Sequence, residues 1–279
     1  MAETRTADAL GSGEGGYRAL LAGTAGLVFL TVLLGVSTRA TGAGLACNAN
    51  WPLCDGGVLN LFPATLPSAF EWLHRLIAGT AGVAIVAVAA LAWRDRDGDR
   101  RVRRALTAAI VLLPVQVALG RETVRSFAPP VLALHYWTAM SIYGLVVGAT
   151  ALAWRDAFGR RSVGRALGLA LALVPLQLVL APPVIARYSA PVQAAHYAVL
   201  LVAFAALALA AILVRERGGD TLVRRGTALS VGLLPLVVFL GRQRIVHPLP
   251  AIELLHPLAA GALLLAVAVA LVGERRARG

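Results

Sequence analysis

The chain has 279 residues, 58% of them hydrophobic and only 14% charged, which is too apolar for a soluble domain of this size and fits a protein with several membrane spans. Its formal net charge of +12 comes from 26 basic residues, all of them arginine. These arginines sit in short connections between apolar stretches, so they report membrane topology, and nucleic-acid binding is set aside as a function class.

In chain order, residues 1–17 are polar and Gly-rich, with Glu3, Asp8 and Glu14. Acidic residues make a poor start for a cleaved signal, so a disordered cytoplasmic tail is expected. Eight apolar stretches then follow, each long enough to span as a helix of about 20 residues. They lie near 18–38, 69–93, 104–121, 131–154, 164–182, 190–214, 225–242 and 250–273. The connections around Arg94 to Arg104, Arg155 to Arg165, Arg215 to Arg225 and Arg275 to Arg278 hold 6, 4, 4 and 3 arginines. The opposite connections hold only Arg39, Arg121, Arg125, Arg187, Arg242 and Arg244. An excess of arginine marks the cytoplasmic side, so both termini are expected there.

The spans repeat with a period of about 61 residues. Leu91-Ala92-Trp93-Arg94-Asp95 returns as Leu152-Ala153-Trp154-Arg155-Asp156, and Pro114 and Gln116 return as Pro175 and Gln177, with Pro235 a further 60 residues on. Four histidines keep the same register: His74, His135, His196 and His256, separated by 61, 61 and 60 residues. The expected architecture is an all-α integral membrane protein of four helical hairpins, forming two pseudo-symmetric four-helix bundles over residues 18–154 and 155–279. The first outer connection is about 25 residues longer than the others and contains Cys47 and Cys54. Pro114, Pro175 and Pro235 fall in mid-span, where each is expected to kink its helix.

An imidazole inside a bilayer is costly and marks a site more often than packing. A single one is equally well read as a packed neutral ring, but four at one depth on parallel helices are poorly explained that way. At about five residues into its span, His74 would lie roughly 7–8 Å below the outer boundary at 1.5 Å per residue. Neutral imidazole ligates iron well, and two per ring give axial coordination of haem, so four make two sites. Zinc and copper suit the set less, because these histidines lack nearby cysteine or carboxylate clusters.

Glu71 lies three residues before His74, on the same helix face, and Arg75 follows. The carboxylate has two readings: a partner or acid–base group for the site, or an ion pair with Arg75 at the membrane surface. Arg75 is also a candidate for pairing with a haem propionate. Glu253 stands in the same relation to His256, whereas His135 and His196 have no carboxylate at that offset. Cys47 and Cys54 fall on the extracytoplasmic side, where disulfides persist. A structural disulfide closing eight residues would contribute roughly 2.5 kcal/mol. A redox-active pair is the alternative. His247, outside the register, is read as a surface residue.

Three elements together resemble the haem A synthase family (the CtaA/Cox15 type): the Gly-rich loop from Thr41 to Cys54 ending Trp-Pro-Leu-Cys, the Glu-x-x-His-Arg of Glu71 to Arg75, and one histidine on each even helix. The resemblance runs over essentially the whole chain. It implies an oxidoreductase that converts haem O to haem A, for terminal oxidases, by oxidising a ring methyl group to a formyl group. Carried onto this sequence, His74 and His135 would flank the substrate haem O with Glu71 as a catalytic carboxylate. His196 and His256 would be the axial ligands of a resident haem b, and Cys47 and Cys54 match the family's cysteine pair. Implied partners are the lipid bilayer, an electron acceptor and a haem O synthase. Oligomeric state stays open. Two departures are Asn48-Ala49-Asn50 between the cysteines and Pro257 after His256, where an arginine would match the His74 motif. The competing reading is a quinol-linked di-haem b electron carrier in the cell membrane. A thiol–disulfide exchanger and a transporter are weaker alternatives.

Overall fold

The structure is a computed structural model. It describes residues 2–47, 50–54, 62–95, 97–181, 184, 188–246 and 249–277, with side chains from residue 15 onward and the side chains of 245 and 246 left out. Arg187, His247 and the loop residues Asn48 and Ala49 lie outside the described residues. Eight helices make up the fold: α1 (Ala2–Ala40), α2 (Leu66–Arg94), α3 (Arg100–Ser126), α4 (Pro129–Ala153), α5 (Ser162–Val179), α6 (Ala190–Glu216), α7 (Thr221–Val246) and α8 (Pro250–Arg276). All eight are long and apolar enough to cross a membrane, and among the described residues there is no strand. The protein is a multi-pass membrane protein.

The helix ends follow local chemistry. Thr65 caps α2, its hydroxyl accepting from the Ser68 amide at 3.3 Å, with a proline in the first turn where no amide is needed. Asp99 caps α3 by accepting from the Arg101 amide at 2.8 Å, and Asp220 caps α7 by accepting from the Leu222 amide at 2.7 Å. Gly42 and Gly218, with φ of 73° and 63°, turn the chain out of α1 and α6. Phe127, at φ 47°, does the same after α3 without the freedom of glycine. Pro114, Pro175 and Pro235 lie inside α3, α5 and α7, and Pro257 lies inside α8 directly after His256.

Several boundaries depart from expectation: α3 (Arg100–Ser126) and α7 (Thr221–Val246) overrun the expected 104–121 and 225–242 at both ends, and the starts of α1 and α2 also differ. The backbone of α1 is helical from Ala2, where a disordered tail was expected over 1–17, although the span itself is Gly15–Ala40. α2 begins at Leu66, about one turn before the expected start, because the Thr65 cap and the following proline set the terminus. His74 is therefore a turn further into its helix than the hydrophobic run suggests.

The chain divides into two compact units, Met1–Trp154 with Ser189–Ala194, and Arg155–Tyr188 with Ala195–Gly279. In the first, α1 packs on α2 and α4, α2 also on α3, and α3 on α4. Its core gathers Leu21, Val88, Ala89, Val102, Leu106 and Ala149. Trp154 Nε1 donates to the Arg18 carbonyl at 3.0 Å, fastening the end of α4 to the start of the α1 span. In the second unit α8 packs on α5 and α7, and α6 contributes Leu200, Ala203, Leu207 and Ala210 to a core shared with Leu167, Val237 and Leu263. Alanines recur through that core because small side chains let membrane helices approach, where apolar burial alone gives no drive. Large apolar side chains point outward instead, such as Val83 at 72% and Leu265 at 65% exposure, as befits a molecule whose solvent is hydrocarbon.

Candidate functional site

In the first unit, one face of the outer end of α2 carries Glu71, His74 and Arg75. Glu71 is buried, at 6% exposure. Arg75 Nε donates to Glu71 Oε1 at 3.0 Å, so the ion pair expected as one reading of these residues is present. It is not a surface pair: the two side chains are only 14% and 8% exposed. Arg75 Nη1 donates to the carbonyl oxygens of Asn50, Pro52 and Leu53 at 2.8, 3.3 and 2.8 Å. All three belong to the loop closed by the Cys47–Cys54 disulfide, whose two cysteines are fully buried. The guanidinium thus spends Nε and Nη1 on the carboxylate and the loop, while its Nη2 is buried without a hydrogen-bond partner. The loop is also tied to the start of α2, with Ser68 Oγ donating to the Ala46 carbonyl at 3.1 Å. Beside Gly44, where a Cβ would lie 3.1 Å from Phe127 Cε2, it rests on the end of α3.

His74 of α2 and His135 of α4 are close enough for one ring to feel the charge of the other. Each lies against a glycine of the neighbouring odd helix. A Cβ on Gly35 of α1 would come within 2.9 Å of His74 Cε1, and one on Gly120 of α3 within 3.1 Å of His135 Cε1. Any larger residue would push the rings out. The Thr31 backbone flanks His74. Gln116 flanks His135, with Nε2 to Nε2 at 3.4 Å. Nδ1 of both histidines is buried without a hydrogen-bond partner.

The second unit repeats the pattern with different surroundings. His196 and His256 are buried, at 8% and 7% exposure, and again feel one another's charge. Gln177 Nε2 lies 2.9 Å from His196 Nε2, and Nδ1 of His196 is buried and unpartnered. The Tyr188 and Tyr197 rings flank His196 at centroid distances of 5.9 and 5.4 Å. Burial pushes the Tyr188 hydroxyl to a higher pKa than usual, so it stays neutral. Gly241 of α7 makes room for His256, a Cβ there lying 3.0 Å from Nε2, and Arg244 Nη1 lies 3.4 Å from Nδ1. Glu253, the counterpart of Glu71, is exposed.

The glycines are the part of the site that sequence reasoning missed. A signal existed: Gly120 and Gly241 each precede their histidine by 15 positions, with Ala181 at that place before His196. The set fits a flat, iron-centred ring. Two imidazoles per unit are a donor set that suits iron in such a ring, and three of the four keep a buried Nδ1 with no protein partner, a cost of about 1–3 kcal/mol each. Among the described residues no group of three or more His, Cys, Asp or Glu side chains forms a cage for a bare ion.

Residues 65–192 match the COX15-CtaA family, described as cytochrome oxidase assembly protein. That stretch contains Glu71, His74, Arg75 and His135 and stops just short of His196. The chain is 40% identical over 139 residues to a protoheme IX farnesyltransferase of Halobacterium salinarum strain R1, covering 50% of this chain and 29% of that protein. It is 33% identical over 129 residues to a heme A synthase of Bacillus licheniformis, covering 45% of this chain and 42% of that protein. A heme A synthase of Alkalihalophilus pseudofirmus is 33% identical over 130 residues, covering 46% and 43%. The chain therefore spans less than half the length of these curated relatives.

Proposed function

We propose that this chain, residues 65–192 of which match the COX15-CtaA family, is a haem A synthase, oxidising a methyl group of haem O to a formyl group. The observation that carries the reading is the buried Glu71, one helical turn from His74 and clamped by Arg75 to the disulfide loop. Side chains alone do not take hydrogen from a methyl group; a bound iron porphyrin supplies the oxidising power. His74 and His135 would hold the substrate haem O, and His196 and His256 a resident haem b.

The protein's own share of the chemistry is placement and charge. Gly35 and Gly120 set the two imidazoles at fixed depth between the helices. Arg75 holds Glu71 in one orientation, at the site's loop-covered end. There Glu71 receives a proton released at the reacting methyl or stabilises positive charge developing beside it. The loop closes over that end and limits water. In balance, the methyl carbon takes two oxygens from water and gives up four protons and four electrons to an external acceptor, and loss of one water from the diol leaves the aldehyde; a haem b held by His196 and His256 would supply electron-transfer chemistry. On this reading both termini are cytoplasmic and the Cys47–Cys54 loop lies on the extracytoplasmic side, as the arginine distribution implies. The farnesyltransferase relative carries a segment like this chain within a longer polypeptide. That supports a farnesyl transfer onto protohaem as the reaction that supplies the substrate.

The test is Glu71→Gln. Haem binding should persist while haem A formation stops, a loss of about 100-fold or more if the carboxylate acts as acid or base. Normal turnover in that variant overturns the role. A di-haem b electron carrier is the second reading, favoured by the equivalence of the two histidine pairs. Haem b as the sole pigment extracted from the purified chain would establish it.

A further inference from the structure

Gln116 and Gln177 are left over from the account above. They recur one repeat apart, on α3 and α5, and each meets the histidine 19 residues later: Gln116 Nε2 to His135 Nε2 at 3.4 Å and Gln177 Nε2 to His196 Nε2 at 2.9 Å. The two pairs also share their defects. In each, the glutamine Oε1 and the histidine Nδ1 are buried with no partner. A half-satisfied buried network is costly, and meeting it twice in the same form argues against accident. The fold does not need it. On α7 the same register position is Val237, fully buried, and His256 meets Arg244 through Nδ1 instead. His74 meets the Thr31 backbone, and the Gln116 and Leu180 backbones likewise meet His135 and His196. Each histidine pair therefore contains one glutamine-bonded imidazole and one without.

We infer that Gln116 and Gln177 are positioning residues that hold His135 and His196 by the nitrogen an iron would take, making these two the releasable axial ligands of their sites. The inference rests on the haem reading. An iron held at Nε2 would displace the carboxamide, and the hydrogen bond would re-form once the ring had left. The carboxamide competes with the metal without changing the charge of the site. In the first site this leaves His74 as the fixed ligand and His135 as the one able to let go, which suits a substrate that must enter and leave. In the second site His256 is the fixed ligand.

Hemin titration of the purified full-length chain, followed by its Soret absorbance, tests this in a His74→Ala background, where only the second pair is read. Gln177→Val, which copies the residue α7 already accommodates, should tighten hemin binding about fivefold, the worth of one net hydrogen bond. Gln177→Glu, a stronger acceptor for the imidazole N–H, should weaken it. Val237→Gln should weaken it as well, by giving His256 a competitor. A merely structural glutamine would instead lower affinity in both Gln177 variants. Equal or weaker hemin binding by Gln177→Val overturns the inference while leaving the haem reading intact. A folded His74→Ala chain that binds no hemin, and is unaffected by His196→Ala, overturns the haem reading itself.

Discussion

The two units carry matching histidine pairs in different settings. Around His74 the outer end of α2 is enclosed: Glu71 is 6% exposed, Arg75 binds it at 3.0 Å, and three carbonyls of a disulfide-closed loop hold the guanidinium. Around His256 the equivalent carboxylate, Glu253, is exposed, and Pro257 stands where the arginine would be. His196 and His256 are 8% and 7% exposed, and the Tyr188 ring meets His196 edge-on while that of Tyr197 is tilted against it. One histidine pair thus has a carboxylate and a cover, and the other two tyrosine rings, a glutamine and an arginine. A site that does chemistry needs a group to handle protons and a way in. A site that only passes electrons needs neither, and burial steadies its metal. The family match over residues 65–192 takes in Glu71, His74, Arg75 and His135 of the first setting and Gln177 and Tyr188 of the second.

The sharpest way to break this comparison is to remove ligands from one pair at a time. His196→Ala or His256→Ala should abolish resident haem b, read as loss of the reduced-minus-oxidised spectrum. His74→Ala should leave that spectrum in place and abolish haem A formation. Loss of haem b from both kinds of variant would mean that the units are not specialised. Next in size is the carboxylate contrast: Glu71→Gln should cost about 100-fold or more in turnover, whereas Glu253→Gln should be neutral within about twofold. Arg75→Leu would leave Glu71 buried beside no cation, a loss of about 3–5 kcal/mol for a broken buried pair, seen as a lowered unfolding midpoint in detergent. Arg75→Lys, which keeps the charge but loses the fork to the loop carbonyls, should recover only part of it. The smallest effect is expected from the notches. Gly120→Ala and Gly241→Ala should each displace a ring by a few tenths of an ångström and weaken hemin binding a few-fold, without unfolding the chain.

Much of this was readable from the chain. The eight spans stand out because residues facing lipid and residues facing the core are both apolar, so hydropathy marks the whole helix. The histidines stand out because titratable groups are rare in such segments, and the 61-residue register ties them together. Glu71 was placed beside His74 by helical spacing alone. What was not legible depends on partners distant in sequence. Arg75 is held by main-chain oxygens 22–25 residues away, and every residue has such an oxygen, so no side-chain pattern announces it. Gly35, Gly120 and Gly241 are three among 28 glycines, and only helix packing reveals which of them face a ring. The start of α2 was set by the Thr65 cap rather than by hydropathy, which is why the expected span began late.

The central claim is that the first pair holds a substrate and the second a resident haem. Chromatography of the pigments extracted from the full-length chain, produced with a supply of haem O, tests it most directly. The account predicts haem b together with haem A in the wild-type chain, and haem b together with unconverted haem O in Glu71→Gln. Haem b alone in both, at two per chain, would contradict it.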